Sequence, residues 1–85
     1  MNKLFTDNAW NDYLYWLQKN PAKVKRINKL IKSIEREGFA DGIGKPEALK
    51  HDLSGYWSRR INEEHRMIYT IDQRQLVIVS LKDHY

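Results

Sequence analysis

The stretch GFADGIGKP, Gly38 to Pro46, separates two halves of the chain that have different hydrophobic periods. Gly38, Gly42 and Gly44 break any helical pattern running into it, and Pro46 closes it. Before it, apolar residues recur every three or four positions. After it, they alternate in short runs. No internal repeat or low-complexity tract appears, and this glycine-rich loop is the only segment that reads as a linker.

On the N-terminal side, Val24, Ile27, Leu30, Ile31 and Ile34 mark one face of a helix over residues 21–36. Lys23, Lys25, Arg26, Lys29, Lys32 and Arg36 crowd its other faces, and read first as a solvated surface. Asn20-Pro21 ends one helix and starts the next, with Asn as cap and Pro at the first helical position. The earlier helix spans residues 7–19, with Asp7 offered as its N-cap. Its stripe of Trp10, Tyr13, Leu14 and Leu17, widened by Trp16, is expected in the core. Residues 3–6 form a short strand candidate.

On the C-terminal side, Tyr56–Ile61, Arg66–Ile71 and Leu76–Leu81 are rich in aromatic and β-branched residues, and NEEH and DQRQ separate them. That pattern predicts an antiparallel meander. Alternation places Met67, Tyr69 and Ile71 on one face and Arg66, Ile68 and Thr70 on the other. Trp57 and Tyr69 read as core, and Arg59 and Arg60 fall on opposite faces. The expected class is α+β: an N-terminal strand, then a two-helix hairpin packed on one face of a C-terminal antiparallel sheet. The opposite face is expected to stay open and collect polar residues from strand ends.

At 85 residues, positions 1–85 read as one domain. The absence of cysteine rules out disulfides and thiolate metal sites. Neither a signal-like N-terminus nor a run of about 20 apolar residues is present, so a cytoplasmic location without membrane contact is expected. Fifteen Lys plus Arg against eleven Asp plus Glu give a net charge of +4, which favours a polyanionic partner.

Three ionisable clusters stand out: GKPEALKHD, WSRRINEEHRMIY, and the closing LKDHY. His51, His65 and His84 lack metal-ligand spacing, and Ser54 lacks a nucleophile elbow, so neither a metal site nor a serine triad is expected. His51 and His65 read as structural. A carboxylate, a histidine and several guanidinium groups on an open sheet face would suit RNA cleavage without a metal. Glu47, flanked by Lys45 and Lys50, would be held ionised as a base, and His84 beside phosphate would favour the protonated form an acid needs. Composition permits this reading without selecting it. The final His84-Tyr85 is either a loose end or a tail pinned so that His84 can react.

The segments GKPEALKH, LSGYWSRRI, NEEHRMIY and the closing HY resemble the YoeB branch of the RelE-like bacterial toxins. The similarity runs the length of the chain and is densest from Gly44 to Tyr69. It implies a RelE-like fold and a ribosome-dependent mRNA endoribonuclease that needs no cofactor. Carried over by position, it makes Glu47 the general base and His84 the general acid. Arg66 would stabilise the transition state, and Tyr85 would orient the site or the scissile nucleotide. Lys50 and Arg60 would grip phosphate, with Glu64 as a supporting, orienting group. Asp83 departs from the family pattern and adds a carboxylate beside the expected acid. The implied partners are a cognate YefM-like antitoxin that folds onto the toxin, the ribosome with its RNA, and the mRNA substrate; a homodimer stays compatible with all of them. The alternative is a non-catalytic RNA- or ribosome-binding module of the same fold. An intact Glu47, Arg66 and His84 set argues against it, because binding alone requires neither a base nor an acid.

Overall fold

A computed structural model describes residues 1–83, so the expectations for His84 and Tyr85 lie outside the described residues. The elements run β1 (Asn2–Phe5), α1 (Asp7–Lys19), α2 (Pro21–Glu37), β2 (Glu47–Ala48), β3 (Trp57–Arg60), β4 (Arg66–Asp72) and β5 (Gln75–Ser80). A 3-10 turn at His51–Leu53 lies between β2 and β3. The strands form one sheet in the order β1-β5-β4-β3-β2.

The α+β reading holds, with two refinements. β1 runs parallel to β5, so the sheet is mixed, and only β2 to β5 form the expected antiparallel part. β2 was not foreseen: two residues are too few to show alternation, and only the pairs Glu47–Ser58 and Ala48–Trp57 define it.

Thr6, rather than Asp7, caps α1. Its extended backbone lets its hydroxyl accept from the Ala9 N–H at 3.1 Å, and Asp7 becomes a first-turn acid facing the helix dipole. Asn20 sits at the joint between the helices as expected. It acts through its backbone, with its N–H on the Trp16 carbonyl and its carbonyl accepting from Lys23, and its side chain makes no capping bond.

In α2, Val24, Ile27, Leu30, Ile31 and Ile34 are all buried, as their spacing requires. In α1 the expected stripe is displaced. Ala9 and Trp16 are buried, whereas Trp10, Leu14 and Leu17 are 49%, 43% and 52% exposed. At 3.6 residues per turn, 9, 13 and 16 share one line and 10, 14 and 17 the next. The small Ala9 lets α1 lie close over the sheet, so the first line takes the core. Trp10 instead stacks on half-buried Tyr13 and meets Phe5 edge-on at the β1 margin.

The core joins these helix residues to Met67, Tyr69, Leu76, Ile78 and Leu81, with Trp57 partly buried against it. A bulge on β5 lies where Ile68 pairs with Ser80 and Tyr69 with Ile78, leaving Val79 extra. Thr6 Oγ1 and Asn8 Nδ2 donate to the Val79 carbonyl, and past the bulge Leu81 is fully buried. The face away from the helices is less open than expected, because Ser58, Ile68 and Ser80 are all buried on it.

The two-residue β4–β5 turn uses Gln73 and Arg74 at φ 50° and 65°, a left-handed pair that favours Asn-Gly. Replacing the turn by Gln73→Asn with Arg74→Gly should stabilise the fold by about 1 kcal/mol and raise Tm by roughly 4–8 °C in a thermal melt. An unchanged Tm would mean that the turn carries no strain.

Candidate active site

The site is assembled by a loop that a buried arginine holds down. Arg59 on β3 points toward the helices and is fully buried. All of its partners are neutral oxygens. Nε donates to the Tyr69 hydroxyl at 2.9 Å, and Nη1 to Ser33 Oγ at 3.2 Å and the Ile43 carbonyl at 2.9 Å. Nη2 donates to the carbonyls of Gly38 at 2.9 Å and Asp41 at 2.5 Å, with a longer contact of 3.4 Å to Phe39. The Tyr69 hydroxyl donates onward to the Phe39 carbonyl. A buried cation is tolerable when its donors are saturated, and the negative end of α2 adds to that.

The loop lies tight against this group. A Cβ on Gly42 would stand 2.1 Å from Ser33 Oγ, and one on Gly44 would stand 2.6 Å from Leu30 Cδ2; both residues have positive φ. The Gly44 carbonyl then accepts from the Arg60 N–H at 2.7 Å, which locks the end of the loop to β3. Lys45 and Pro46 follow, and β2 pairs Glu47 with Ser58.

Because Glu47 is opposite Ser58, Ser58 opposite Ile68, and Arg60 opposite Arg66, these five side chains share the face away from the helices. A cleft of about 240 Å³ there is lined by Lys45, Pro46, Glu47, Ser58, Arg60 and Arg66. Lys45 and Arg60 also border a neighbouring groove of about 470 Å³, which Arg26, Asn62 and Glu63 help to line. Across the two, Arg26, Lys45, Arg60 and Arg66 outnumber the carboxylates Glu47 and Glu63. The Arg66 guanidinium is steadied through Nη1, which donates to the carbonyls of Asn62, Glu63 and His65.

Of the residues singled out in the sequence, Glu47, Arg60 and Arg66 therefore meet in one cleft. Lys50 is exposed at the start of the 3-10 turn, and Glu64 is exposed with Oε1 3.5 Å from His65 Nε2; neither lines the cleft. The backbone leading toward His84 arrives beside Arg66, whose N–H donates to the Asp83 carbonyl at 2.8 Å. By its spacing Arg26 belongs to a solvated helix face. Its Nη2 in fact donates to the Arg60 carbonyl at 3.1 Å, a contact between distant segments that helix spacing cannot announce. Arg59 and Arg60 do take opposite faces. His51 is exposed, and His65 is buried in hydrogen-bonded contact with the chain end.

A family model described as a YoeB-like toxin of bacterial type II toxin-antitoxin systems matches residues 5–85. Toxin YoeB of Synechocystis is 58% identical over 85 residues, covering all of this chain and 98% of its own. The YoeB–YefM complex from Staphylococcus aureus superposes with a TM-score of 0.93 at 53% identity, covering all of this chain and 98% of that one. A YoeB dimer from the same species gives 0.94 at 52%, with the same coverage. Fold and cleft thus define a small toxin of the bacterial toxin-antitoxin class. The chain belongs to the YoeB-like toxin family.

Tyr69→Phe leaves Arg59 Nε without a partner and the Phe39 carbonyl with only its long Arg59 Nη2 contact, and should cost about 1–3 kcal/mol in urea unfolding. Burial holds the Tyr69 phenol above its ordinary value, against the opposing pull of Arg59. The folded chain therefore keeps this proton when the unfolded chain, near pH 10, releases it. The resulting stability is complete below pH 10 and is lost as pH rises beyond it. Tyr69→Phe should flatten that alkaline loss; an unchanged alkaline slope would place its origin elsewhere.

Proposed function

We propose that this toxin is a metal-independent endoribonuclease that cuts mRNA in the ribosomal decoding site and so inhibits translation. The observation that carries the reading is the cleft in which the Glu47 carboxylate shares one sheet face with Arg60 and Arg66, next to the backbone leading to His84. Glu47 takes the proton from a ribose 2′-hydroxyl, which attacks the adjacent phosphorus. Arg66 and Arg60 neutralise the charge that develops on the phosphoryl oxygens. His84 protonates the departing 5′-oxygen, and Tyr85 orients the scissile nucleotide. Lys50, outside the cleft, grips a flanking phosphate, and Glu64 plays its supporting part through the hairpin it shares with Arg66. The products are a 2′,3′-cyclic phosphate and a 5′-hydroxyl.

The cognate partner is a YefM-like antitoxin, a reading supported by the S. aureus relative solved with YefM. The solved S. aureus dimer supports a homodimer here. Residues 1–85 act as one domain in the cytoplasm, where ribosomes are met, and no helix among the described residues is long and apolar enough to cross a membrane.

Glu47→Ala should lower ribosome-dependent cleavage by about 10²–10⁴ while ribosome binding persists. Arg66→Ala should do likewise, and Arg66→Lys should not rescue it if the contact is bidentate. Unchanged cleavage in Glu47→Ala would assign the base elsewhere, and ribosome binding without any cleavage by the intact chain would favour the non-catalytic module.

End-group analysis should find 5′-hydroxyls, and cleavage should survive treatment of the enzyme with EDTA. A 5′-phosphate would point to a metal-dependent hydrolase instead. Deleting His84 and Tyr85, or changing His84→Gln, should eliminate cleavage with little change in Tm. A truncated chain that cuts at the wild-type rate would remove His84 from the mechanism.

A further inference from the structure

The last described residue is held in an uncomfortable conformation. Asp83 has φ +64°, the left-handed region that non-glycine residues seldom adopt. Two bonds hold its backbone there. Its N–H donates to His65 Nδ1 at 2.8 Å, and its carbonyl accepts from the Arg66 N–H at 2.8 Å. An imidazole nitrogen accepts only when it carries no proton, so His65 here is neutral with its hydrogen on Nε2, the side facing Glu64.

The ring itself is fixed from the other direction. It meets Trp16 edge-on at 4.8 Å, and Trp16 Nε1 donates to the Leu81 carbonyl at 2.8 Å. One buried histidine thus connects α1, the β3–β4 hairpin and Asp83.

We infer that His65 is a positioning residue: its neutral imidazole latches the Asp83 backbone and so fixes where the chain leaves for His84, beside Arg66. The latch stands on hydrogen bonds alone, whereas its consequence for cleavage rests on the function proposed above. Protonation at Nδ1 would set one donor against another and open the latch. Charged groups around the ring include Glu64 and Arg66 on the hairpin, Lys23 of α2 over Trp16, and Lys82 and Asp83 of the terminal segment. From α1, Asp12 accepts from the Leu81 N–H.

Two variants separate the ring from the acceptor. His65→Phe keeps an aromatic ring on Trp16 and removes the acceptor; His65→Asn keeps an acceptor near the Nδ1 position and removes the ring. In the full-length protein, amide hydrogen exchange followed by NMR should find the Asp83 N–H protected in wild type and in His65→Asn, and unprotected in His65→Phe. Wild type should lose this protection as acid protonates the imidazole, at a pH where His65→Asn retains it. On ribosome-bound mRNA, His65→Phe should lose about 100-fold in kcat with KM unchanged. His65→Asn should keep most of its kcat despite a lower Tm.

Asp83 protection unaltered in His65→Phe and insensitive to acid in wild type would overturn the latch. Cleavage rates that simply follow the order of Tm would overturn its positioning role. If wild type itself fails to cleave, the proposed function fails, while the exchange of Asp83 still decides the latch. The acid titration of wild type needs no variant, so a substitution that misfolds leaves the inference testable.

Discussion

The fully buried guanidinium of Arg59 is the constraint on which the candidate site depends. A cation without water must satisfy every donor, and here the partners are carbonyls that the loop from Gly38 to Ile43 has to present together. That requirement folds the loop back on α2, draws Gly42 against Ser33, and delivers Gly44 to the backbone of Arg60. Glu47 lies three residues beyond this anchor, paired with Ser58 on the same strand as Arg59. Lysine could not substitute, since one ammonium cannot reach oxygens spread around a planar fork. Adjacent arginines on one strand thus do opposite work: Arg59 organises the interior, and Arg60 faces the cleft.

Much of the fold was legible because its strongest signals are local. The apolar face of α2 repeats over three turns, and alternation fixes β4 and β5 and, on β3, separates Arg59 from Arg60. What the pattern could not reveal is which neighbour each face meets. In α1 two adjacent lines were both apolar, and the close approach permitted by Ala9 decided between them. The parallel pairing of β1 with β5 joins residues more than seventy positions apart, and β2 exists only because β3 offers it an edge. Within the site, Glu47, Arg60 and Arg66 were identified from motif resemblance, and their convergence required the register. Arg26 carried no signal at all, since one arginine among many on a basic helix looks like solvated surface.

The terminal segment explains features of α1 that helix packing leaves idle. Asp12 accepts from the Leu81 N–H, Trp16 donates to the Leu81 carbonyl, and Lys82 lies 4.2 Å over the Tyr15 ring. The polar and aromatic residues along this helix serve Leu81 and Lys82 as much as the sheet. The segment that follows β5 is thereby held to α1 as far as Lys82. The bulge at Val79 contributes by turning the chain so that Leu81 enters the core under Trp16.

The strand order makes the sheet depend on a single late segment. β5 lies between β1 and β4, yet among the described strands it comes last in the chain. Until residues 75–80 emerge, β1 has no partner, and the helices lack Leu76, Ile78 and Leu81 beneath them. A chain that lacks β5 therefore cannot close the sheet. Products truncated before β5 would remain unfolded and open to proteolysis, so a copy that lacks this one strand cannot present the cleft.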